Sequence, residues 1–153
     1  MKDAAPQTVY LKDYKVAVFL IEKTKLTFDL GATQTSVTAE LTVVRNVASE
    51  DMSDNLVLDG SPGLDLQWVK VDGQLLIPSD YHQDAESLTI FSLPDQCVVT
   101  TEVFIKPHLN TTMMGLYRSR TMYCTQCEAE GFRDITYYLD RPDVMSEFTT
   151  TVI

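Results

Sequence analysis

The sequence predicts an all-β domain: an antiparallel β-sandwich or saddle-shaped sheet with at most a short helix near residues 141–146. Three observations lead there. Apolar residues alternate with polar ones over long stretches, a two-residue hairpin signal lies between two apolar runs, and turn-forming clusters recur along the chain. Side chains on a strand point alternately to its two faces, so period-two alternation marks strands with one face on a core and one toward water.

The elements follow in order. VAVFLI, Val16 to Ile21, is the longest apolar run and is far short of the roughly 20 residues of a membrane helix. It reads as a buried strand. LTFDL places Leu26, Phe28 and Leu30 on one face, and SVTAELTVV does the same with Val37, Ala39, Leu41 and Val43. In VKVDGQLLI, Asp72-Gly73 is a hairpin signal, because both central positions of that turn favour positive φ. SLTIFSL and CVVTTEVFI add strands rich in β-branched and aromatic residues. Between them lie NVASEDMSDN, DGSPG, IPSDYHQDAES, SLPDQ and KPHLNTTMMG, a punctuation that suits antiparallel sheets rather than βαβ units. In YLDRPDVMSEF, Asp140 is placed to cap a short helix with Pro142 in its first turn. FTTTVI, Phe148 to Ile153, reads as a strand that has begun at the chain end. An apolar, β-branched terminus is the expectation for a chain cut inside a longer protein.

Composition narrows the function. A chain of 153 residues, 44% of them hydrophobic, is one domain by size. Its formal net charge of −10 argues against nucleic acid, whose binding relies on Lys and Arg neutralising phosphates, and against an anionic membrane surface. Three cysteines and the lack of a secretory signal in MKDAAPQTVYLKDYK lead to the expectation of a reduced, cytoplasmic protein.

CTQCEAEGFRDITYYLDRPD, residues 124 to 143, carries the unusual chemistry. Cys124 and Cys127 have half of a zinc-ribbon spacing, but a structural site needs four ligands, and Cys97, His82 and His108 are scattered singly. A redox pair would want a helix start and a βαβ unit, which the β surroundings do not offer. Packed, reduced thiols are the reading that remains. Neither histidine belongs to an H-E-x-x-H motif, and no G-x-S-x-G elbow, phosphate loop or calcium loop is present, so no catalytic constellation is assembled. Gln126 and Glu128 differ. Two residues apart in an extended chain, they would face one way and pair an amide with a carboxylate, equipment for a polar ligand bearing an amine. The competing reading is a structural ion pair of Glu128 with Arg133 or Arg141.

GLYRS, Gly115 to Ser119, followed by CTQCEAEGFRDITYYLDRPDV, resembles the N-terminal domain of bacterial aminopeptidase N, the alanyl aminopeptidase family of thermolysin-like zinc metallopeptidases. LTFDL and VTAEL fit more loosely. The resemblance runs from about Leu11 to the chain end, most specifically between Gly115 and Thr150 and least between Ser49 and Val98. It implies that residues 1–153 are the N-terminal β domain of a larger enzyme that removes single residues from peptide N-termini. That parent would hold zinc through H-E-x-x-H and a downstream Glu, and would carry a G-A-M-E-N motif, all outside this chain. The resemblance also implies roles here: Glu128 binds the free α-amine of a peptide substrate, and Gln126 lines the pocket for its first side chain. Implied partners are peptides with a free N-terminus and the catalytic domain of the same parent. The chain alone is expected to bind no zinc and to be inactive. The alternative is a stand-alone β-sandwich binding or interaction module, since architecture alone does not decide function.

Overall fold

The computed structural model describes residue 8 and residues 10–153. Eleven strands follow one another: β1 Phe19–Leu30, β2 Thr35–Arg45, β3 Leu56–Asp59, β4 Asp65–Val71, β5 Gln74–Leu75, β6 Tyr81–Gln83, β7 Ser87–Ile90, β8 Gln96–Ile105, β9 Gly115–Ser119, β10 Met122–Gln126 and β11 Glu147–Val152. They form a six-stranded sheet in the order β11-β1-β2-β8-β4-β5, a three-stranded sheet β3-β7-β6, and the β9–β10 hairpin. The only helical pieces among the described residues are single 3₁₀ turns at Leu11–Asp13, Pro107–Leu109 and Phe132–Asp134. None of the described helices is long and apolar enough to cross a membrane.

The alternation in the sequence sets which face is buried. Thr35, Val37, Ala39, Leu41 and Val43 of β2 turn inward, as do Cys97, Val99, Thr101, Val103 and Ile105 of β8. In β1 a bulge between Ile21 and Lys23 shifts the parity, so Ile21, Thr24, Leu26 and Phe28 are all buried. Leu56 and Leu58 of β3 with Leu88 and Ile90 of β7 complete the same hydrophobic cluster. Asp72 and Gly73 take φ of 49° and 80°, the doubly positive turn their sequence favours, and connect β4 to β5.

The all-β expectation holds, with at most a turn where a short helix was allowed, and two details differ. The large sheet is mixed, because β11 runs parallel to β1, from Lys23↔Glu147 to Phe28↔Val152, while its other pairings are antiparallel. The 141–146 stretch holds a turn, closed by Val144 N–H to the Arg141 carbonyl at 3.3 Å, and no helix. Asp140 is not free to cap one, since its carboxylate accepts from the Arg133 backbone N–H and Nε, each at 3.1 Å. Asp143, the next acid, is held by Arg141 and by the Tyr14 hydroxyl at 2.7 Å.

Candidate substrate-recognition loop

Strand β10 ends at Gln126, and Glu128-Ala129-Glu130 form a turn. Gln126 and Glu128 are therefore close, though not as successive positions of one strand. The Gln126 Nε2 donates to the Glu128 carbonyl at 3.2 Å, which folds the amide over the loop. Both side chains are exposed. Along β10, Tyr123 and Thr125 face a hollow of about 320 Å³ that Phe28, Leu116 and Val152 also line. Gln126 has the opposite parity and turns away from that apolar underside.

The hairpin is fastened to the large sheet by polar contacts at the β1–β2 turn. The Tyr123 hydroxyl donates to the Gly31 carbonyl at 2.9 Å, and Arg118 Nη1 donates to the Ala32 carbonyl at 2.8 Å. Ahead of β9, Asn110 organises the approach: its Nδ2 donates to the carbonyls of Met114 and Leu116 at 2.7 and 3.0 Å.

Two glycines allow the loop to close. Gly115 opens β9 at φ +68°, and a Cβ there would lie 2.6 Å from the Asp134 Cβ. Gly131 donates its N–H to the Cys127 carbonyl at 2.9 Å. A Cβ on it would meet the Cys127 Cα at 2.9 Å and the Gln126 carbonyl oxygen at 3.1 Å. After the loop, Ile135 to Leu139 are buried, and Asp59 and Tyr138 exchange backbone hydrogen bonds of 2.7 and 3.0 Å. Phe132 packs edge-on against Tyr138, with ring centroids 4.7 Å apart.

The ion pairs bear on the structural reading of Glu128. Arg133 is committed to Asp140 at 3.1 Å, to Asp59 at 3.4 Å and, more loosely, to Glu130 at 3.9 Å. Arg141 is committed to Asp143 at 2.8 Å. Among the described residues no cation pairs with the Glu128 carboxylate, so the structural ion-pair reading fails. Burial works against the Arg133 charge, but Asp140, Asp59 and Glu130 outweigh it and hold its pKa above the ordinary value. Residues so far apart in sequence as Asp59, Arg133 and Asp140 leave no local signal, and sequence reasoning missed the cluster.

The cysteines are free thiols. Cys97 is buried in β8, and burial, with a smaller push from Asp72, raises its pKa to about 11. Cys127 is raised by burial first and then by Asp140 and Asp134. Neither has the depressed pKa of a reactive cysteine. Among the described residues no three His, Cys, Asp or Glu converge as metal ligands, His82 and His108 included.

The comparisons with known proteins identify the family. Residues 14–153 match the Peptidase M1 N-terminal domain. The chain is 48% identical over 152 residues to aminopeptidase N of Caulobacter vibrioides, covering 99% of this chain and 17% of that protein. It is 43% identical over 148 residues to aminopeptidase N of Escherichia coli, covering 97% and 16%. The chain thus spans about a sixth of the length of these relatives. Among solved structures, Legionella pneumophila aminopeptidase A in complex with aspartic acid superposes with a TM-score of 0.84 at 32% identity, over 93% of this chain and 17% of that one. An M1 zinc metallopeptidase from Deinococcus radiodurans shares the fold, with a TM-score of 0.72 at 17% identity over 90% of this chain and 33% of its own. By the match over residues 14–153, the chain belongs to the Peptidase M1 N-terminal domain family.

Proposed function

We propose that this chain is the substrate-recognising N-terminal part of a zinc-dependent, cytoplasmic aminopeptidase, in which Glu128 binds the α-ammonium of a peptide and Gln126 borders its first side chain. The observation that carries the reading is an exposed Glu128 with no cationic partner among the described residues, on a loop held in place by its neighbours. The relatives named aminopeptidase N and the M1 zinc metallopeptidase of the same fold supply the reaction class. Zinc, which activates water for hydrolysis when bound, belongs to the rest of that enzyme; the described residues of this chain offer no ligand set for it.

The chain's own part is recognition and register. A peptide α-amine has a pKa of about 7.7–8.0, so near neutral pH it is largely an ammonium. A carboxylate that loses its water to that ammonium gains a charge-assisted pair that an internal amide cannot offer. An amine seated on Glu128 fixes where the first peptide bond lies relative to this domain, which limits cleavage to single residues. The Gln126 amide has its nitrogen engaged by the loop, and among the described residues nothing donates to its oxygen, which is left for a ligand.

The test is steady-state kinetics of the full-length enzyme on several aminoacyl substrates, with melting temperature measured alongside. Removing one partner of a desolvated ion pair costs about 3–5 kcal/mol, so Glu128→Gln is expected to lower kcat/KM by roughly two to four powers of ten with stability unchanged. Gln126→Ala is expected instead to alter preference among first residues. Near-wild-type kcat/KM in Glu128→Gln removes Glu128 from the site. The domain alone is expected to hydrolyse no aminoacyl-anilide.

A further inference from the structure

We propose that Arg133 is a positioning residue for amine recognition: its guanidinium pins the base of the Glu128 loop so that the carboxylate meets a substrate ammonium in one orientation. The inference rests on the assignment of Glu128 as the amine anchor. Its own support is the set of contacts that one side chain makes to three different pieces of chain. Nε donates to Asp140 Oδ2 at 3.1 Å, and Nη2 donates to the Asp140 carbonyl at 3.1 Å. Nη1 lies 3.4 Å from Asp59 Oδ1, at the end of β3, and Nη2 lies 3.9 Å from Glu130 Oε2, inside the loop. The backbone joins in, since the Arg133 N–H donates to the same Asp140 oxygen and the Asp140 N–H donates to Asp59 Oδ2 at 3.0 Å.

These contacts differ in weight. Glu130 keeps 70% of its side chain in water, so its long contact is the weak one. Asp140 exposes only 14% of its side chain and takes three bonds from Arg133, two on its carboxylate and one on its carbonyl. The strong grip is therefore at the loop's base, where the chain leaves the Phe132–Asp134 turn, and it ties the loop to the three-stranded sheet through Asp59. The geometry calls for arginine, because a planar guanidinium serves several acceptors in a fixed fork and an ammonium is a single point charge. The same arrangement explains why Glu128 stays unpaired. Each guanidinium nitrogen of Arg133 is already engaged by Asp140 or Asp59, so that cation does not compete with a ligand for Glu128.

A positioning role separates from a merely structural one through ligands that differ only in the amine. In the full-length enzyme, inhibition constants are measured for alanine hydroxamate and for propanehydroxamate, its counterpart without the amino group. Arg133→Lys is expected to weaken alanine hydroxamate about tenfold and to leave propanehydroxamate within about twofold of wild type. Asp140→Asn keeps an acceptor for the Arg133 N–H while removing the charge, and is expected to act in the same selective way by about threefold. It decides the matter if Arg133→Lys does not fold. Glu128→Gln is run in parallel. If it leaves the ratio between the two ligands at wild type, the amine-anchor assignment fails and takes this proposal with it. If it collapses the ratio while Arg133→Lys and Asp140→Asn preserve it, or if those variants weaken both ligands equally, Arg133 does not position the anchor.

Discussion

Strand β2 and the segment 115–140 belong to one domain and are held by different means. β2 lies between β1 and β8 and pairs with both along nearly its whole length. Val37, Ala39, Leu41 and Val43 have no exposed surface, and the holding force is apolar area spread over many neighbours. In the 115–140 segment the strands are short, and the tip from Thr125 to Glu130 is exposed apart from a partly covered Cys127. Leu116 and Ile135 to Leu139 anchor the segment in the core, but the tip itself is kept in place by point contacts: Gly115 against Asp134, Gly131 against Cys127, Arg133 on Asp140, Tyr123 on Gly31. Spread burial fixes a surface with no chemistry of its own. Point contacts let polar groups stay in water and still keep their places, which is what a recognition loop needs.

The contrast can be broken by substitution, beginning where the largest loss of stability is expected. Leu41→Ala removes a side chain with 0% exposure from the middle of the large sheet, and is expected to cost about 2–5 kcal/mol in denaturant unfolding. In the proposed full-length aminopeptidase it should leave kcat/KM per folded molecule unchanged; a selective loss of amine-bearing ligands would mean that the two regions are not separable. Next come two glycines that both have positive φ. Gly115→Ala combines a left-handed backbone with a 2.6 Å approach to the Asp134 Cβ, and is expected to cost roughly 2–3 kcal/mol. Gly73→Ala, where nothing lies within 4 Å of the added Cβ, is expected to cost only about 1 kcal/mol. Equal losses at the two positions would show that backbone conformation alone, and not close approach, makes the 115–140 segment depend on its glycines.

The two glycines also mark what could be read from sequence. Gly73 follows Asp72 between two apolar runs, and that local pattern is sufficient to place the hairpin between β4 and β5. The strands around Leu26, Val37 and Val99 were legible for a similar reason, because alternation is a property of neighbouring residues. Gly115 looks like any glycine in a loop until Asp134 is seen against it. β6 was hidden in the polar stretch IPSDYHQDAES, since a three-residue strand is too short to show a period. The parallel partner of β11 lies at the far end of the chain, where no local rule reaches. At the candidate site, Gln126 and Glu128 were conspicuous as residue types in a familiar motif. That Arg133 pairs with Asp59 and Asp140 instead of Glu128 was not legible, because Asp59 lies far away in the chain.

The parallel pairing of β1 with β11 has a consequence for the order in which the domain assembles. The β1–β2 hairpin joins residues close in the chain, such as Lys25 and Glu40, 15 positions apart. Thr24 and Ser146, which share a hydrogen bond beside β11, are 122 positions apart. Closing so long a loop loses more chain entropy before any contact repays it, and pairings of this kind form late. β11 also brings Phe148, whose ring centroid lies 5.8 Å from that of Phe132 and 6.0 Å from that of Tyr138. Assembly is therefore expected to run outward from the hairpin, with the stretch 132–140 sealed only when the final strand docks. In pulse-labelled hydrogen exchange during refolding, amides of β1 and β2 should gain protection first and those of 132–140 together with β11. Simultaneous protection of all four would contradict that order. On a ribosome, where the chain emerges from its N-terminus, the candidate loop would wait for nearly the whole of this domain to be made before it takes its final form.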